Sequence, residues 1–216
     1  MSAPDLFTID VGDTLGQSLG ERHPATLARL SGRPEADVRD LLDRYLLTAT
    51  APDTRIIDHI CADLGIPRSS LPEACFKEPF AIFSSARQTL AALSRHAPVV
   101  TLSNSHPWHA EHHRRVWQAF RPHLTALHTS YELGVAKPDP SIFRAVARIH
   151  GVQVRSIVHV GDSWRDDIEG AVNAGCRAVW LSAGQYPPAQ YDADSVLITH
   201  SISSVPDCLQ PWLACR

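Results

Sequence analysis

The chain has 216 residues, 44% of them apolar and 20% charged, and 20 Lys and Arg against 23 Asp and Glu leave a formal net charge of −3. At about 150 residues per domain this is one domain, or one domain with a sizeable insertion, and so ordinary a composition excludes a disordered or collagen-like chain. The balanced charge, with no basic stripe, argues against nucleic acid as the main partner, and no apolar run reaches the ~18 residues of a membrane span.

Residues 5–11 (DLFTIDV) form a short apolar run ending in a Gly/Asp cluster, the pattern of a buried strand. From Pro24 to about Leu93 the pattern turns helical. Leu27 and Leu30, then Val38, Leu41, Leu42, Tyr45 and Leu46, then Ile56, Ile57, Ile60, Cys61 and Leu64 recur at spacings of three and four. Gly65 stands where a helix stop is expected, and Pro34, Pro52, Pro67 and Pro72 break the stretch. Almost no strand signal interrupts it.

Strand and helix then alternate. Strands are expected at 97–102, 124–129, 156–160, 177–181 and 195–198, with helices at 109–120, 141–150 and 167–174. Strands separated by helices of about ten residues imply βαβ units and a parallel sheet covered on both faces. The expected fold is α/β: a three-layer Rossmann-like core from residues 1–15 and 94–216, with residues 16–93 inserted as an α-helical cap.

Open parallel sheets bind ligands beyond the carboxyl ends of their strands, so the residues that follow each strand carry the chemistry. Asp10-Val11-Gly12-Asp13-Thr14-Leu15 follows the first, and Ser103-Asn104 the second. Lys137-Pro138-Asp139-Pro140 lies downstream of the third, and Gly161-Asp162-Ser163-Trp164-Arg165-Asp166-Asp167 follows the fourth. Phosphoryl transfer needs such parts. Mg²⁺ takes one or two carboxylates, here Asp10 and Asp162, with the Gly12 carbonyl as a third oxygen. A carboxylate can attack phosphorus, while an ammonium (Lys137) and a hydroxyl (Ser103) neutralise the phosphoryl oxygens.

These four segments, in this order, resemble the haloacid dehalogenase-like superfamily, in the branch whose helical cap lies between the first and second motifs. The resemblance runs over essentially the whole chain: Asp10…Thr14-Leu15, Ser103-Asn104, Lys137-Pro138-Asp139 and Gly161-Asp162-Ser163…Asp167-Ile168. It implies Asp10 as nucleophile and metal ligand, Ser103 and Lys137 as phosphoryl-binding residues, and Asp162 as a Mg²⁺ ligand. Asp167 would hold the metal's waters or Lys137, and Thr14 and Asn104 would orient nucleophile and substrate. The implied activity is a Mg²⁺-dependent phosphatase acting on a small phosphorylated metabolite through an aspartyl-phosphate. The alternatives are a metal-independent haloacid-type dehalogenase or a catalytically weak metabolite-binding protein.

One position departs from the pattern. The family's first motif has a second Asp two residues after the nucleophile, as general acid/base; here that residue is Gly12. Asp13 follows it but is out of phase with Asp10 along an extended strand, unless the backbone turns sharply there. His106 lies close enough to Asn104 to serve as a substitute acid.

His106, His109 and His113 (from HPWHAEHH) are spaced to align on a helix as a possible Zn²⁺ set, but a solvated histidine-rich face is the expectation. Trp108, Trp117, Trp164 and Trp180 are read mostly as packing residues, with the cleft mouth as an alternative place for Trp164. Cys61, Cys75, Cys176, Cys208 and Cys215 never form a CxxC pair and are read as reduced core thiols. The N-terminal MSAPDLFTID lacks the basic and apolar regions of a secretory leader, so a cytoplasmic location is expected.

Overall fold

The computed structural model describes residues 3–72, 75–77 and 79–214. Its centre is β1 (Leu6–Ile9), a strand of four buried residues. Two residues past it, the chain leaves the sheet, so the strand is shorter than the 5–11 expected. β1 pairs in parallel with β4 (Val99–Ser103) on one side and β6 (Ile157–Gly161) on the other. Outside these lie β5 (Ala126–Thr129), β7 (Arg177–Leu181) and β8 (Val196–Thr199), in the order β5-β4-β1-β6-β7-β8, every pair parallel.

Side chains alternate across a strand, so each strand feeds two cores. Phe7, Ile9, Val99, Val158, Val160 and Val179 face one way, against Leu90 and Leu93 of α4 (Ala86–Leu93) and Val116 and Phe120 of α5 (Ala110–Phe120). Leu6, Val100, Leu102, Ile157, Ala178 and Trp180 face the other, against Ile142, Phe143 and Val146 of α7 (Pro140–His150). The expected three-layer Rossmann-like sandwich is present. With helices on both faces, near-continuous apolar strands are what burial requires.

A third apolar cluster stands apart. It joins Leu27 of α1 (His23–Ser31), Val38, Leu41, Leu42 and Leu46 of α2 (Glu35–Leu46), and Ile57, Ile60, Cys61 and Leu64 of α3 (Thr54–Leu64). Gly65 ends α3 in the left-handed region (φ 68°), as its position predicts. The α4 helix, placed within the insert by sequence, packs with the sheet instead, because its Leu90 and Leu93 belong to the Phe7 cluster.

Two strands escape the periodicity. β2 (Gly16–Ser18) and β3 (Phe80–Ile82) form an antiparallel ribbon at the two ends of the insert. Three residues are too few to show alternation, and their partners are distant in sequence. The short α6 (Ser130–Leu133), α9 (Val205–Cys208) and α10 (Gln210–Leu213) were likewise unsignalled. The helix expected at 167–174 begins earlier, as a wide π-type turn over Trp164–Glu169 that runs into α8 (Gly170–Ala174). Cys61, Cys176 and Cys208 are free thiols, and Cys61, Cys75 and Cys176 are buried; Cys215 lies outside the described residues. No helix among the described residues is long and apolar enough to cross a membrane.

Candidate active site

The carboxyl ends of β1, β4 and β6 converge on a cavity of about 340 Å³, lined by Asp10, Gly12, Ser103, Asn104, Lys137, Asp162 and Asp167 among others. It sits where the strand order reverses, with β1 flanked by the strands that lead to either edge. Seven of the eight sequence-selected residues line the cavity itself. The eighth, Thr14, is fully buried behind it and donates to Asp162 Oδ1 at 3.2 Å.

Lys137 is the hub. Its Nζ donates to Asp10 Oδ1 at 2.7 Å and to Asp167 Oδ1 at 2.5 Å, and its side chain is 2% exposed. Burial disfavours the ammonium, but the two carboxylates outweigh that and hold it protonated above the ordinary lysine range. Burial also works against Asp167, yet the Lys137 charge and the His159 hydrogen bond dominate and keep its carboxyl well below the usual range. Asp10 differs: burial, the largest effect, and the Asp167 and Asp162 charges prevail over Lys137 and raise it to about 8. Asp162 is raised to about 6 by burial and then by Asp167 and Asp13. One buried ammonium thus faces three carboxyl groups: Asp167 keeps its charge, and Asp10 and Asp162 are the two that hold protons more tightly than usual.

Asp167 is satisfied from three directions: by Lys137, by His159 Nε2 at 3.1 Å, and by the Ser163 N–H, which donates to Oδ2 at 2.9 Å. The wide π-type turn presses this carboxylate against Gly161, where any Cβ would collide with it. His159 is fully buried and bonds Thr8 Oγ1 through Nδ1 at 2.8 Å, Thr8 being its register partner on β1. Sequence reasoning passed over both, although His159 is the polar residue in the apolar run IVHV of β6.

Asn104 is turned away from the role of orienting substrate: its Nδ2 donates to the Lys137 carbonyl and its Oδ1 accepts from the Lys137 N–H, both at 2.8 Å. Ser103 lines the cavity; its hydroxyl is 3.5 Å from the Asn104 carbonyl, at the limit of a hydrogen bond.

At Asp13 the backbone makes the sharp turn that alone could bring this residue round from its extended-strand phase. Its φ of 53° is left-handed, a turn that Asp tolerates better than most residues, and it brings the side chain to the cavity wall. There both carboxylate oxygens accept from Arg22 Nη2, at 2.7 and 2.6 Å. Gly12 is exposed, and a Cβ on it would meet nothing within 4 Å.

The histidine-rich face is not solvated. His106 and His113 are buried, and His109 and His112 line the cavity. His113 bonds Ser105 Oγ through Nε2 at 2.8 Å, and burial lowers its pKa to about 4. Trp164 packs edge-on against Trp180 rather than lining the cleft mouth.

Three carboxylate oxygens, one each from Asp10, Asp162 and Asp167, lie within 4.8 Å of one another. An all-oxygen donor set with surplus negative charge suits a hard divalent cation such as Mg²⁺. Both oxygens of Asp167 are engaged, Oδ1 by Lys137 and His159 and Oδ2 by the Ser163 N–H, whereas Lys137 takes only Oδ1 of Asp10, so Asp10 and Asp162 are the carboxylates that fit such an ion.

Residues 6–175 match the haloacid dehalogenase-like hydrolase family. A phosphoserine phosphatase of Thermus thermophilus is 31% identical over 119 residues, 54% of this chain and 48% of that protein. A glyceraldehyde 3-phosphate phosphatase of Methanopyrus kandleri is 46% identical over 57 residues, 26% of this chain and 24% of that protein. The chain therefore spans about half the length, or less, of these curated relatives. In fold, a 2-haloacid dehalogenase from Pseudomonas syringae superposes with a TM-score of 0.67 at 23% identity, over 98% of this chain and 100% of that one.

Proposed function

The chain belongs to the haloacid dehalogenase-like hydrolases, and from that membership we propose that it is a Mg²⁺-dependent phosphatase of small phosphorylated metabolites, acting through an aspartyl-phosphate at Asp10. The observation that carries this reading is the buried Asp10 carboxylate, held by Lys137 at 2.7 Å with Asp162 and Asp167 beside it. The phosphatases among its relatives support it.

Lys137 fixes one oxygen of Asp10, leaving the other to attack phosphorus. As that O–P bond forms, the ester P–O bond breaks and the leaving group departs as its oxyanion, taking a proton from solvent. Water then attacks the phosphorus of the acyl phosphate, releasing inorganic phosphate and restoring the Asp10 carboxylate. Lys137 and the Ser103 hydroxyl meet the phosphoryl oxygens, where donors already fixed in place cost no reorganisation as charge develops. Asp167 holds the Lys137 ammonium, His159 and Thr8 hold Asp167, and Thr14 orients Asp162. A Mg²⁺ ion bound by Asp10, Asp162 and the Gly12 carbonyl would add positive charge beside the transferred group.

We further assign α1–α3 to a cap that selects substrate. They keep a separate apolar cluster, while Arg39 of α2 and Arg22, just before α1, reach the cavity that holds Asp10. The free thiols of Cys61, Cys176 and Cys208 support a reducing compartment such as the cytoplasm.

The test is phosphate release from a panel of phosphorylated metabolites, with Mg²⁺ and with a chelator, for wild type and Asp10→Asn. Wild type should hydrolyse at least one compound, lose that activity with chelator, and lose at least about a thousandfold with Asp10→Asn. An Asp10→Asn rate within tenfold of wild type defeats the assignment. Chelator-resistant release of halide from a 2-haloacid would replace it with a dehalogenase.

A further inference from the structure

The helical spacing of His106, His109 and His113 nominates a trio that the fold does not assemble, because His113 is turned inward to Ser105. A different third histidine takes its place. His23, the first residue of α1, meets His106 and His109 from the loop between β4 and α5, and one nitrogen of each ring lies within 4.8 Å of the other two. The ring centroids are 3.8 Å apart for His106–His109, 5.2 Å for His23–His106 and 5.9 Å for His23–His109.

We infer that His23, His106 and His109 form a binding site for a divalent transition-metal ion of the Zn²⁺ class, seated across the junction between the helical insert and the sheet core. Tetrahedral Zn–N bonds are about 2.0–2.1 Å long, so closing the three nitrogens onto one ion takes ring shifts of roughly 1 Å or less. Three imidazoles and no carboxylate are the wrong donors for Mg²⁺ and the right ones for Zn²⁺, Cu²⁺ or Ni²⁺. Chemistry therefore separates this site from the Asp10 and Asp162 oxygens.

The surroundings are those of a supported site. His106 is 3% exposed, and the Phe76 ring lies 5.3 Å from His23 and 6.0 Å from His106, with Trp108 5.9 Å from His106. These aromatic rings pack against the trio. The inner side opens on a cavity of about 250 Å³ lined by all three histidines together with Asp13, Arg22 and Asn104. Three protein ligands plus one open position leave room for water or a substrate group. A bound ion would tie the start of α1 to the core beside the cavity that holds Asp10. The inference stands whether or not the chain is a phosphatase.

The experiment uses tag-free protein in saturating Mg²⁺, which keeps the carboxylate pocket occupied. Zn²⁺ is titrated against a competing chelator, and Zn-edge X-ray absorption counts the imidazole rings around the metal. Wild type should bind one Zn²⁺ per chain with three-imidazole scattering. His23→Ala and His109→Ala should each weaken binding about 100-fold or more, whereas His112→Ala, which removes a neighbouring ring outside the trio, should not. Absence of Zn²⁺ binding in Mg²⁺, oxygen-only scattering, or equal affinities in wild type and His23→Ala would each overturn the site. The ring count in wild type decides the matter independently of the variants.

Discussion

The Asn104 side chain holds Lys137 by its main chain: Nδ2 donates to the Lys137 carbonyl and Oδ1 accepts from the Lys137 N–H, each at 2.8 Å. An amide that uses one donor and one acceptor on a single residue fixes that residue's position and direction. The end of β4 is thereby coupled to the loop that carries the ammonium, and Asn104 becomes a positioning residue rather than a substrate ligand.

Asn104→Ala should therefore lower kcat about 10- to 100-fold while KM changes little, because misplacing a catalytic ammonium by about 1 Å is costly in rate. Asn104→Asp keeps the acceptor for the Lys137 N–H and should recover part of the loss. Steady-state kinetics on the best substrate of the panel checks this. A purely raised KM would show that Asn104 binds substrate instead.

Mg²⁺ should stabilise wild type and not Asp162→Ala. An ion at about 100 times its Kd adds roughly 2.7 kcal/mol to the native state, or some 5–10 °C in Tm for a chain of this size. Without metal the sign reverses. A carboxyl raised to about 6 binds its proton more tightly folded than unfolded, so its charge opposes folding above that pH. Metal-free Asp162→Ala should then melt no lower than wild type at pH 8. Calorimetry with and without Mg²⁺ checks both statements, and equal Mg²⁺ responses would place the ion elsewhere.

The hydrolase should favour phosphates whose leaving group needs little protonation, such as acyl, aryl or anomeric phosphates. Gly12 supplies no acid, and Asp13, though at the cavity wall, is clamped by Arg22 at 2.6 Å. General acid catalysis typically contributes 10²–10⁴-fold, so a poor alkoxide leaving group suffers that loss. Gly12→Asp fits without collision, because a Cβ there meets nothing within 4 Å. Rates across a leaving-group series should depend steeply on leaving-group pKa in wild type and less so in the variant. A flat wild-type series would show that another residue, such as His109, delivers the proton.

Acid should destabilise the protein through His113. Its pKa falls from 6.5 to about 4 on burial, so between those values the unfolded chain takes up a proton that the folded chain refuses. That contribution is complete above pH 6.5 and is lost as pH falls towards 4, a change on the order of 2–3 kcal/mol. His113→Asn should flatten the dependence of the urea midpoint on pH over this window. His128, also lowered to about 4, remains in both proteins, so the difference in slope isolates His113. Parallel slopes would refute the assignment.

Much of the site was legible along the chain because its parts are local. Each strand is a short apolar run, the residue leaving its carboxyl end is set by where that run stops, and parallel sheets gather those ends at one edge. Asp10, Ser103 and Asp162 needed nothing more, whereas Lys137 lies beyond β5 and the short α6 that follows it. The same logic made the three-layer core readable, since strands buried on both faces carry almost no polar residues. His159 was legible as the exception to that rule and was passed over.

What tertiary structure alone decided is how residues distant in the chain meet. Thr8 reaches His159 only because β1 and β6 pair in one register. Asp13 reaches the cavity only through a left-handed residue held by Arg22, where extended backbone would point it outward. His23 replaces His113 beside His106 and His109 because α1 docks its first residue against the β4–α5 loop, while Ser105 draws His113 inward. Local periodicity states which face of a helix is apolar, but not which helix it will meet. That choice is made by packing between separate segments, and it determined everything about this site beyond its strand ends.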